Sequence, residues 1–183
     1  MSKPGSTLNI PARITARDLA ERIDRDLTEV RAALKARGEP DAPEEVLGAD
    51  LAMSIARSLG KTAAVEPRDL ALERLYEYEA KGEIDPDSGG RAGAIVQGVV
   101  SDLDDLDEMI ESVAEHWSVA RMPVIDRNII RIALYELLSD ANTPTAVVVA
   151  EAVRLAQTYS TEKSASFVNG VLATLAKTIR DSS

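Results

Sequence analysis

The sequence of 183 residues contains no cysteine, one histidine and few aromatic side chains. Without cysteine, neither a disulfide nor a thiolate zinc site can form. The single His116 cannot supply a Cys/His dyad or a His-rich metal site, so we interpret it as a packing or helix-capping residue. Aromatic residues make up only 3 % of the chain, whereas sheets are typically rich in them. The composition therefore favours packed helices and indicates no catalytic residue, no metal site and no cofactor.

Long apolar runs and nucleotide-binding motifs are absent as well. No apolar stretch approaches the roughly 18 residues that a membrane-spanning helix needs. The first residues, MSKPGSTLNIPAR, lack the apolar core of a signal peptide. Neither the P-loop pattern nor the dinucleotide-binding glycine pattern occurs. From these absences we expect a soluble cytoplasmic protein that makes no membrane contact and is not an enzyme.

Charge is distributed unevenly along the chain, whose net charge is −10 at pH 7. Residues 1–65 hold ten basic and ten acidic side chains, whereas residues 66–183 hold eleven basic and twenty-one acidic ones. An acidic body disfavours non-specific nucleic-acid binding, so contact with RNA or DNA requires a local basic patch. The acidic run SDLDDLDEMIE lies in the first turns of a predicted helix, where the helix dipole favours negative charge. We interpret it as a solvated face.

The hydrophobic pattern is helical and predicts an all-α chain. Residues 1–12 are predicted as a flexible arm, residues 13–60 as a small three-helix, helix-turn-helix-like module, residues 61–67 as a linker and residues 68–180 as a six-helix domain. Apolar side chains of the larger domain recur at spacings of three and four. Even the run Val147–Val149 fits this spacing, so we predict no strand anywhere.

The segment DRNIIRIALYELL, residues 126–138, is mostly apolar but carries two arginines. Because Arg127 and Arg131 are four residues apart, they share one face of a helix. One interpretation is that they form ion pairs with Asp126, with Glu136 or with acids of a neighbouring helix. The other is that they bind RNA phosphate or an acidic group of a partner.

Gly170 and Asn169 stand inside the last predicted helix. Glycine in a helix interior costs about 1 kcal/mol relative to alanine. We therefore expect a neighbouring helix to approach closely at Gly170, with Asn169 bonding a backbone group across that contact.

Several motifs of the second part occur together in one known family. PRDLALERLYEYE is followed by DRNIIRIALYELL, PTAVVVAEAVRLAQTYS and FVNGVLATLAK. In this order, over about residues 66–180, they resemble the NusB family of bacterial transcription antitermination factors. A further pattern of that family is matched by Trp117, Arg121, Pro123, Asp126 and Arg127. The resemblance implies a NusB-like bundle of two antiparallel three-helix halves.

The resemblance also implies a function in transcription that rests on binding. Members recognise the boxA element of nascent transcripts, above all the leaders of rRNA precursors. They act with NusE, a ribosomal protein, within the RNA polymerase antitermination complex. We therefore expect RNA along a basic edge formed by Arg68, Arg127 and Arg131, with Lys163 at the start of the last helix. The ribosomal protein would dock on the acidic remainder. The oligomeric state stays open.

The chain departs from the family ahead of the first matching helix. Where the family has a run of arginines, this sequence has KTAAVEP, with only Arg68 in register. Ala150 and Gln157 also replace an asparagine and a lysine of the family pattern. Two alternatives therefore stay open. One is a protein-interaction adaptor with this fold that has lost RNA binding, and the other is an accessory domain that serves an RNA-modifying enzyme such as an rRNA methyltransferase.

The small module at residues 13–60 resembles the N-terminal helical subdomain of bacterial translation initiation factor two. The similarity rests on ITARDLA and on LGADLAMSIARSLG. The module carries a group of basic side chains: Arg13, Arg17, Arg22, Arg25, Arg31, Lys35 and Arg37. They are either solvated helix charges paired with nearby acids, or an RNA or ribosome contact that replaces the missing arginine run.

Overall fold

The structure is a computed structural model that describes residues 7–83, 90–114 and 118–181. His116 and Trp117 therefore lie outside the described residues. Within the described ranges, no helix is both long and apolar enough to cross a membrane.

The chain divides into two compact units, Met1–Leu70 and Ala71–Ser183. Each unit has its own cluster of buried apolar side chains. Helix α4, Pro67–Lys81, begins in the first unit and continues into the second. The domain boundaries predicted at residues 12, 60 and 67 stay a prediction.

Three helices and four short strands form the described part of the first unit. The helices are α1 (Ala16–Arg22), α2 (Leu27–Lys35) and α3 (Ala49–Ser58). The strands are β1 (Leu8–Ile10), β2 (Arg13–Thr15), β3 (Val46–Gly48) and β4 (Ala63–Val65). β1 runs parallel to β4, and β2 runs antiparallel to β3. Ile10, Leu19, Ile23, Leu34 and Ile55 are fully buried between these elements.

The prediction that the chain has no strand is wrong in this unit. Residues 8–10 of the predicted arm pair with residues 63–65 of the predicted linker. A three-residue strand is too short to show the alternation of apolar and polar side chains by which a strand is predicted from sequence.

Helices build the described part of the second unit, as predicted. After α4 they are α5 (Gly90–Ser101), α6 (Leu103–Val113), α7 (Val124–Ser139), α8 (Thr145–Tyr159) and α9 (Ser164–Asp181). A 3-10 turn, Val119–Arg121, precedes α7. The run Val147–Val149 lies inside α8. The predicted all-α class is confirmed, since the strands are confined to two short pairs in the first unit.

Helix α7 lies at the centre of the second unit, in contact with α5, α6, α8 and α9. Ile129, Ile130 and Leu134 of α7 are fully buried. On the side of α5, a Cβ atom at Gly98 would lie 2.1 Å from Cζ of Tyr135. The missing side chain of Gly98 therefore makes room for the aromatic ring. A helix covered on this many sides has little surface left for polar residues, so its charged groups need partners inside the bundle.

Candidate nucleic-acid interface

Arg127 and Arg131 lie in an ion-pair network that joins three helices. Nε and Nη2 of Arg131 each donate to a carboxylate oxygen of Asp107 on α6 at 2.7 Å. Its Nη1 donates to Oε1 of Glu79 on α4 at 2.8 Å and to Oδ1 of Asn128 at 3.1 Å. Nε of Arg127 donates to Oε1 of Glu79 at 3.0 Å, and its Nη2 bonds the other oxygen. Only 8 % of the Arg131 side chain is exposed.

The proximity of opposite charges stabilises the ionised form of both partners. Burial raises the pKa of the Glu79 carboxyl, but the hydrogen bond from Arg127 and the charges of Arg127 and Arg131 outweigh it. The pKa of Glu79 therefore lies below its ordinary value. The hydrogen bond to Glu79 in turn raises the pKa of Arg127 above that of a free guanidinium. Glu79 and Arg127 thus both stay charged at neutral pH.

The two arginines therefore follow the first of the two sequence interpretations, that of internal ion pairs. The partners are not the two acids of α7 that we named. Glu136 instead accepts a hydrogen bond from Nη2 of Arg91 at 2.9 Å. Asp126 accepts bonds from the hydroxyls of Ser160 and Ser164. Those carboxylates point to other helices because they lie on other faces of α7.

Arg68 belongs to the first unit and is also buried, with 7 % exposed. Its Nη1 lies 3.4 Å from Oε1 of Glu66. The basic edge that we expected from Arg68, Arg127 and Arg131 is therefore wrong as an open surface, because each guanidinium faces a carboxylate of the same chain. An RNA contact by these arginines stays a prediction that this geometry does not favour.

Lys163, the fourth predicted residue, is different because its side chain is exposed and has no partner among the described residues. It directly precedes α9 and lines a shallow surface concavity with Glu162, Ser166 and Phe167. Residues three and four apart share one face of a helix. One face of α9 therefore continues along a set at this spacing, which we call the α9 face: Lys163, Ser166, Phe167, Gly170, Thr174 and Lys177. All of them are exposed except Phe167, which is half-buried and packs against the core.

The residues of the α9 face carry positive charge and no negative charge, and the nearest acid in the sequence is Glu162, which lines the same concavity. Residues 163–180 contain three basic side chains and no acidic one, although the second half of the chain is strongly acidic. Lys177, like Lys163, is exposed and has no partner in the described part. We did not select Ser166, Phe167 or Lys177 from the sequence. The acid-free stretch was the signal that would have identified them.

Gly170 lies on this face and is exposed. A Cβ atom at Gly170 would meet nothing within 4 Å, and the backbone has an ordinary negative φ. Asn169 is exposed too and makes no hydrogen bond through its side chain within the described residues. The predicted close approach of another helix is therefore wrong. The helix itself gains nothing from this glycine, and no described neighbour accounts for it.

The start of α9 lies beside the start of α7. The carboxylate of Asp126, in the first turn of α7, accepts hydrogen bonds from Ser160 at the end of α8 and from Ser164 at the start of α9. Arg121, exposed and unpaired in the described part, directly precedes this end of α7. Two helix N-termini, each with a partial positive charge, thus adjoin Lys163 and Arg121. This end of the unit can attract phosphate groups.

A metal centre is not indicated by the described part of the structure. No three His, Cys, Asp or Glu side chains come together there in a way that could hold a metal ion. The chemistry that the site offers is therefore electrostatic attraction, hydrogen bonding and aromatic contact.

Comparison with known proteins places this chain in a family. A model described as the NusB family matches residues 51–177. The transcription antitermination protein NusB of Clavibacter michiganensis subsp. michiganensis is 39 % identical over an alignment of 134 residues, which covers 64 % of this chain and 98 % of the relative. The protein of the same name from Acidothermus cellulolyticus is 44 % identical over 123 residues, covering 61 % and 85 %.

Solved structures share the fold. NusB of T. maritima has a TM-score of 0.55 and 32 % identity, covering 61 % of this chain and 88 % of that chain. A crystal structure of antitermination factors NusB and NusE in complex with double-stranded RNA has a TM-score of 0.53 and 27 % identity, covering 61 % and 94 %. Because the family model spans well over half of the residues, the chain belongs to the NusB family.

Proposed function

We propose that this chain is a transcription antitermination factor that binds RNA and a NusE-type ribosomal protein. Its relatives carry that function in their names, and a structural neighbour was solved with NusE and RNA. The chain acts by binding in the cytoplasm and not by catalysis. Its targets are boxA-like RNA in rRNA leaders, within the antitermination complex of RNA polymerase.

The observation that carries this proposal is the α9 face. An exposed glycine costs the helix about 1 kcal/mol relative to alanine, and no atom of the described residues would lie within 4 Å of a Cβ placed there. A partner that approaches the backbone of α9 closely accounts for the missing side chain. Lys163 and Lys177 on the same face provide charges for phosphate groups, and Phe167 provides a ring on which a base stacks. Single-stranded RNA offers both kinds of group.

The ribosomal-protein partner fits the acidic part of the second unit. Asp104, Asp105 and Glu108 are exposed on α6, and a basic ribosomal protein has the complementary charge. Complementary charge speeds association and selects partners more than it raises affinity. Calorimetric titration of the chain with NusE at two salt concentrations tests this contact, and an affinity that does not change with salt would contradict it.

Titration of fluorescent RNA with the full chain tests the RNA-binding function. A boxA-like single strand and its scrambled version are compared at several salt concentrations. Lys163→Gln should lower affinity several-fold and reduce the salt slope by about 0.7. Phe167→Leu should lower affinity by about 5- to 100-fold, because a base–aromatic stack is worth about 1–3 kcal/mol. Lys81→Gln on α4 is the matched control, since Lys81 is exposed and pairs only with Glu77.

Gly170→Ala separates an RNA role from a role in folding. Alanine should raise the free energy of unfolding by up to about 1 kcal/mol, because the added methyl group meets no atom. The same methyl group should weaken RNA binding. Binding that is unchanged in all three α9 variants, or a wild-type chain that binds NusE but no RNA, would favour the adaptor alternative.

A further inference from the structure

The first unit places its charges differently from the second. Residues 51–65, which include most of α3, contain Arg57 and Lys61 but no acidic residue. Residues 30–38, which end α2, contain three basic residues and no acidic one. The acids of this unit lie in other segments, between residues 18 and 29, between residues 39 and 50, and at Glu66 and Asp69. Although its charge is balanced overall, the unit is positive where α2 ends and α3 ends.

Two arginines fix the geometry of this positive region. Nη2 of Arg25 donates to the carbonyl oxygen of Leu59 at 2.9 Å, just after α3. Nη1 of Arg37 donates to the carbonyl of Ala33 at 2.9 Å, and its Nη2 reaches the carbonyl of Ser54 on α3 at 3.5 Å. The guanidinium groups therefore lie against the second half of α3.

Arg57 lies three residues after Ser54 in α3, so the two residues share one side of the helix. Lys61 lies beyond the end of α3 and directly follows Gly60, whose φ is +75°. The side chains of Arg57 and Lys61 have no partner among the described residues. We call Arg25, Arg37, Arg57 and Lys61 the α3 basic surface.

The acceptors bound by Arg25 and Arg37 are neutral backbone carbonyls, so the two guanidinium groups keep their positive charge uncancelled. A carbonyl group orients a guanidinium and offsets part of the negative end of a helix dipole, but it does not cancel the unit charge. A guanidinium has five donors, so one or two carbonyl bonds leave the others available for a phosphate. Of the nearby acids, Asp26 and Glu29 form the capping box of α2, whereas Asp24 and Glu39, the neighbours of Arg25 and Arg37 in the sequence, are exposed.

The first unit contains no aromatic residue, as none occurs in residues 1–70. Base stacking, which gives single-strand binders much of their contact with bases, is therefore impossible here. Contacts to phosphate position a nucleic acid but carry no sequence information. Residues 1–50 also lie outside the family match, so most of this unit is an addition to the part that resembles the relatives.

We propose that the α3 basic surface is a second RNA-binding surface, which holds the phosphate backbone without regard to sequence. This proposal rests on the proposed function, because the α3 basic surface and the α9 face would bind the same RNA. Linking a weak, sequence-independent contact to the α9 face would raise the affinity of the whole chain, because the second contact becomes intramolecular.

The test uses the full chain and two fluorescent single-stranded RNAs, one boxA-like and one scrambled. Binding is measured from 50 to 300 mM salt, a range over which several phosphate contacts should change the affinity by about tenfold or more. The variant is Arg37→Gln, Arg57→Gln and Lys61→Gln together. Arg25 is kept because it caps α3. The matched control is Arg13→Gln, Arg17→Gln and Arg31→Gln, which removes the same charge. Of these, Arg17 and Arg31 already pair with Glu44 and Asp41.

We expect the variant to bind both RNAs about 10- to 100-fold more weakly than wild type, with a salt slope smaller by about 2. The ratio between the two affinities should not change. A second variant with Arg37→Lys and Arg57→Lys should keep wild-type affinity, because the charge is retained. Far-UV circular dichroism verifies that each chain is folded.

Three outcomes overturn the proposal. In the first, the glutamine variant keeps wild-type affinity and salt slope while the α9 variants lose affinity. Only the proposal of the α3 basic surface is then wrong. In the second, the control variant loses as much as the test variant, which indicates a general charge effect. In the third, wild type binds neither RNA even at 50 mM salt, where several phosphate contacts should give an affinity about tenfold or more above that at 300 mM. The proposed function then fails as well.

Discussion

Two pairs of arginines, one pair in each unit, meet different acceptors, although other arginines of the first unit, Arg17 and Arg31, also pair with carboxylates. In the second unit, Arg127 and Arg131 donate to the carboxylates of Glu79 and Asp107. In the first unit, Arg25 and Arg37 donate to backbone carbonyls. The former are largely withdrawn from solvent and the latter are exposed. The same residue type thus serves to hold helices together in one unit and leaves net positive charge on the surface in the other.

The difference teaches that a count of basic residues does not locate a basic surface. The second unit contains arginines at the positions that its family resemblance emphasises, yet their charge is cancelled by neighbouring acids. The first unit has no family resemblance to NusB over most of its length, yet its charge is open. Whether a basic side chain is neutralised depends on which helices lie next to it. The stability of substituted chains tests this dependence.

The largest effect is expected for Arg131→Leu. Removing one member of a buried ion network leaves the other charges without a partner, which typically costs about 3 kcal/mol or more. We expect the free energy of unfolding of the second unit to fall by about 3 kcal/mol. Near-UV circular dichroism during urea unfolding reports on this unit alone, since residues 1–70 contain no aromatic side chain.

Lys177→Leu provides the control for that measurement, because Lys177 is exposed on α9 and unpaired in the described part. Its substitution should change the same free energy by no more than about 0.5 kcal/mol. If both variants lose equal stability, the network around Arg131 has no special role.

Acid should weaken the second unit through the same network. The folded pKa of Glu79 is lowered, so the stability it contributes is fully present above about pH 5. That contribution is lost as the pH falls below the ordinary value of about 4.3 and through the lowered one. In Glu79→Gln, the decline of the near-UV midpoint between about pH 5 and 3 should be shallower than in wild type.

Glu77→Gln is the matched control for the acid titration. Glu77 lies on the same helix and pairs only with the exposed Lys81, and exposed pairs contribute little to stability. An acid profile that is the same in Glu79→Gln and wild type would show that the Glu79 carboxylate does not stabilise the fold.

The smallest effect is expected for Arg37→Gln in the first unit. Its guanidinium is exposed and bonds only carbonyls, so the free energy of unfolding should change by no more than about 0.5 kcal/mol. Far-UV circular dichroism of the full chain measures it. A loss above about 1 kcal/mol would mean that Arg37 is structural, and would weaken the contrast with Arg131.

Much of the second unit was predictable because helical periodicity extends over many residues. Residues 147–149 were correctly placed in a helix by that spacing, although three consecutive valines are typical of a strand. The strands of the first unit were missed because each has three residues. At the site, Lys163 was identified from its position ahead of the last helix. Arg127 and Arg131 were predicted as a pair, but their acceptors come from α4 and α6, which no local pattern reveals.

The sequence by itself determined the helices, the family and the uneven distribution of charge, since these depend on residue type and spacing along the chain. Tertiary structure alone decided which charges stay open. Arg131 is neutralised because α4 and α6 bring Glu79 and Asp107 to within hydrogen-bonding distance of α7. Lys163, Gly170 and Arg57 stay open because no element that the structure describes covers them. The electrostatic interaction between two charges depends on their separation in space and on their exposure to water, and neither follows from their separation in sequence.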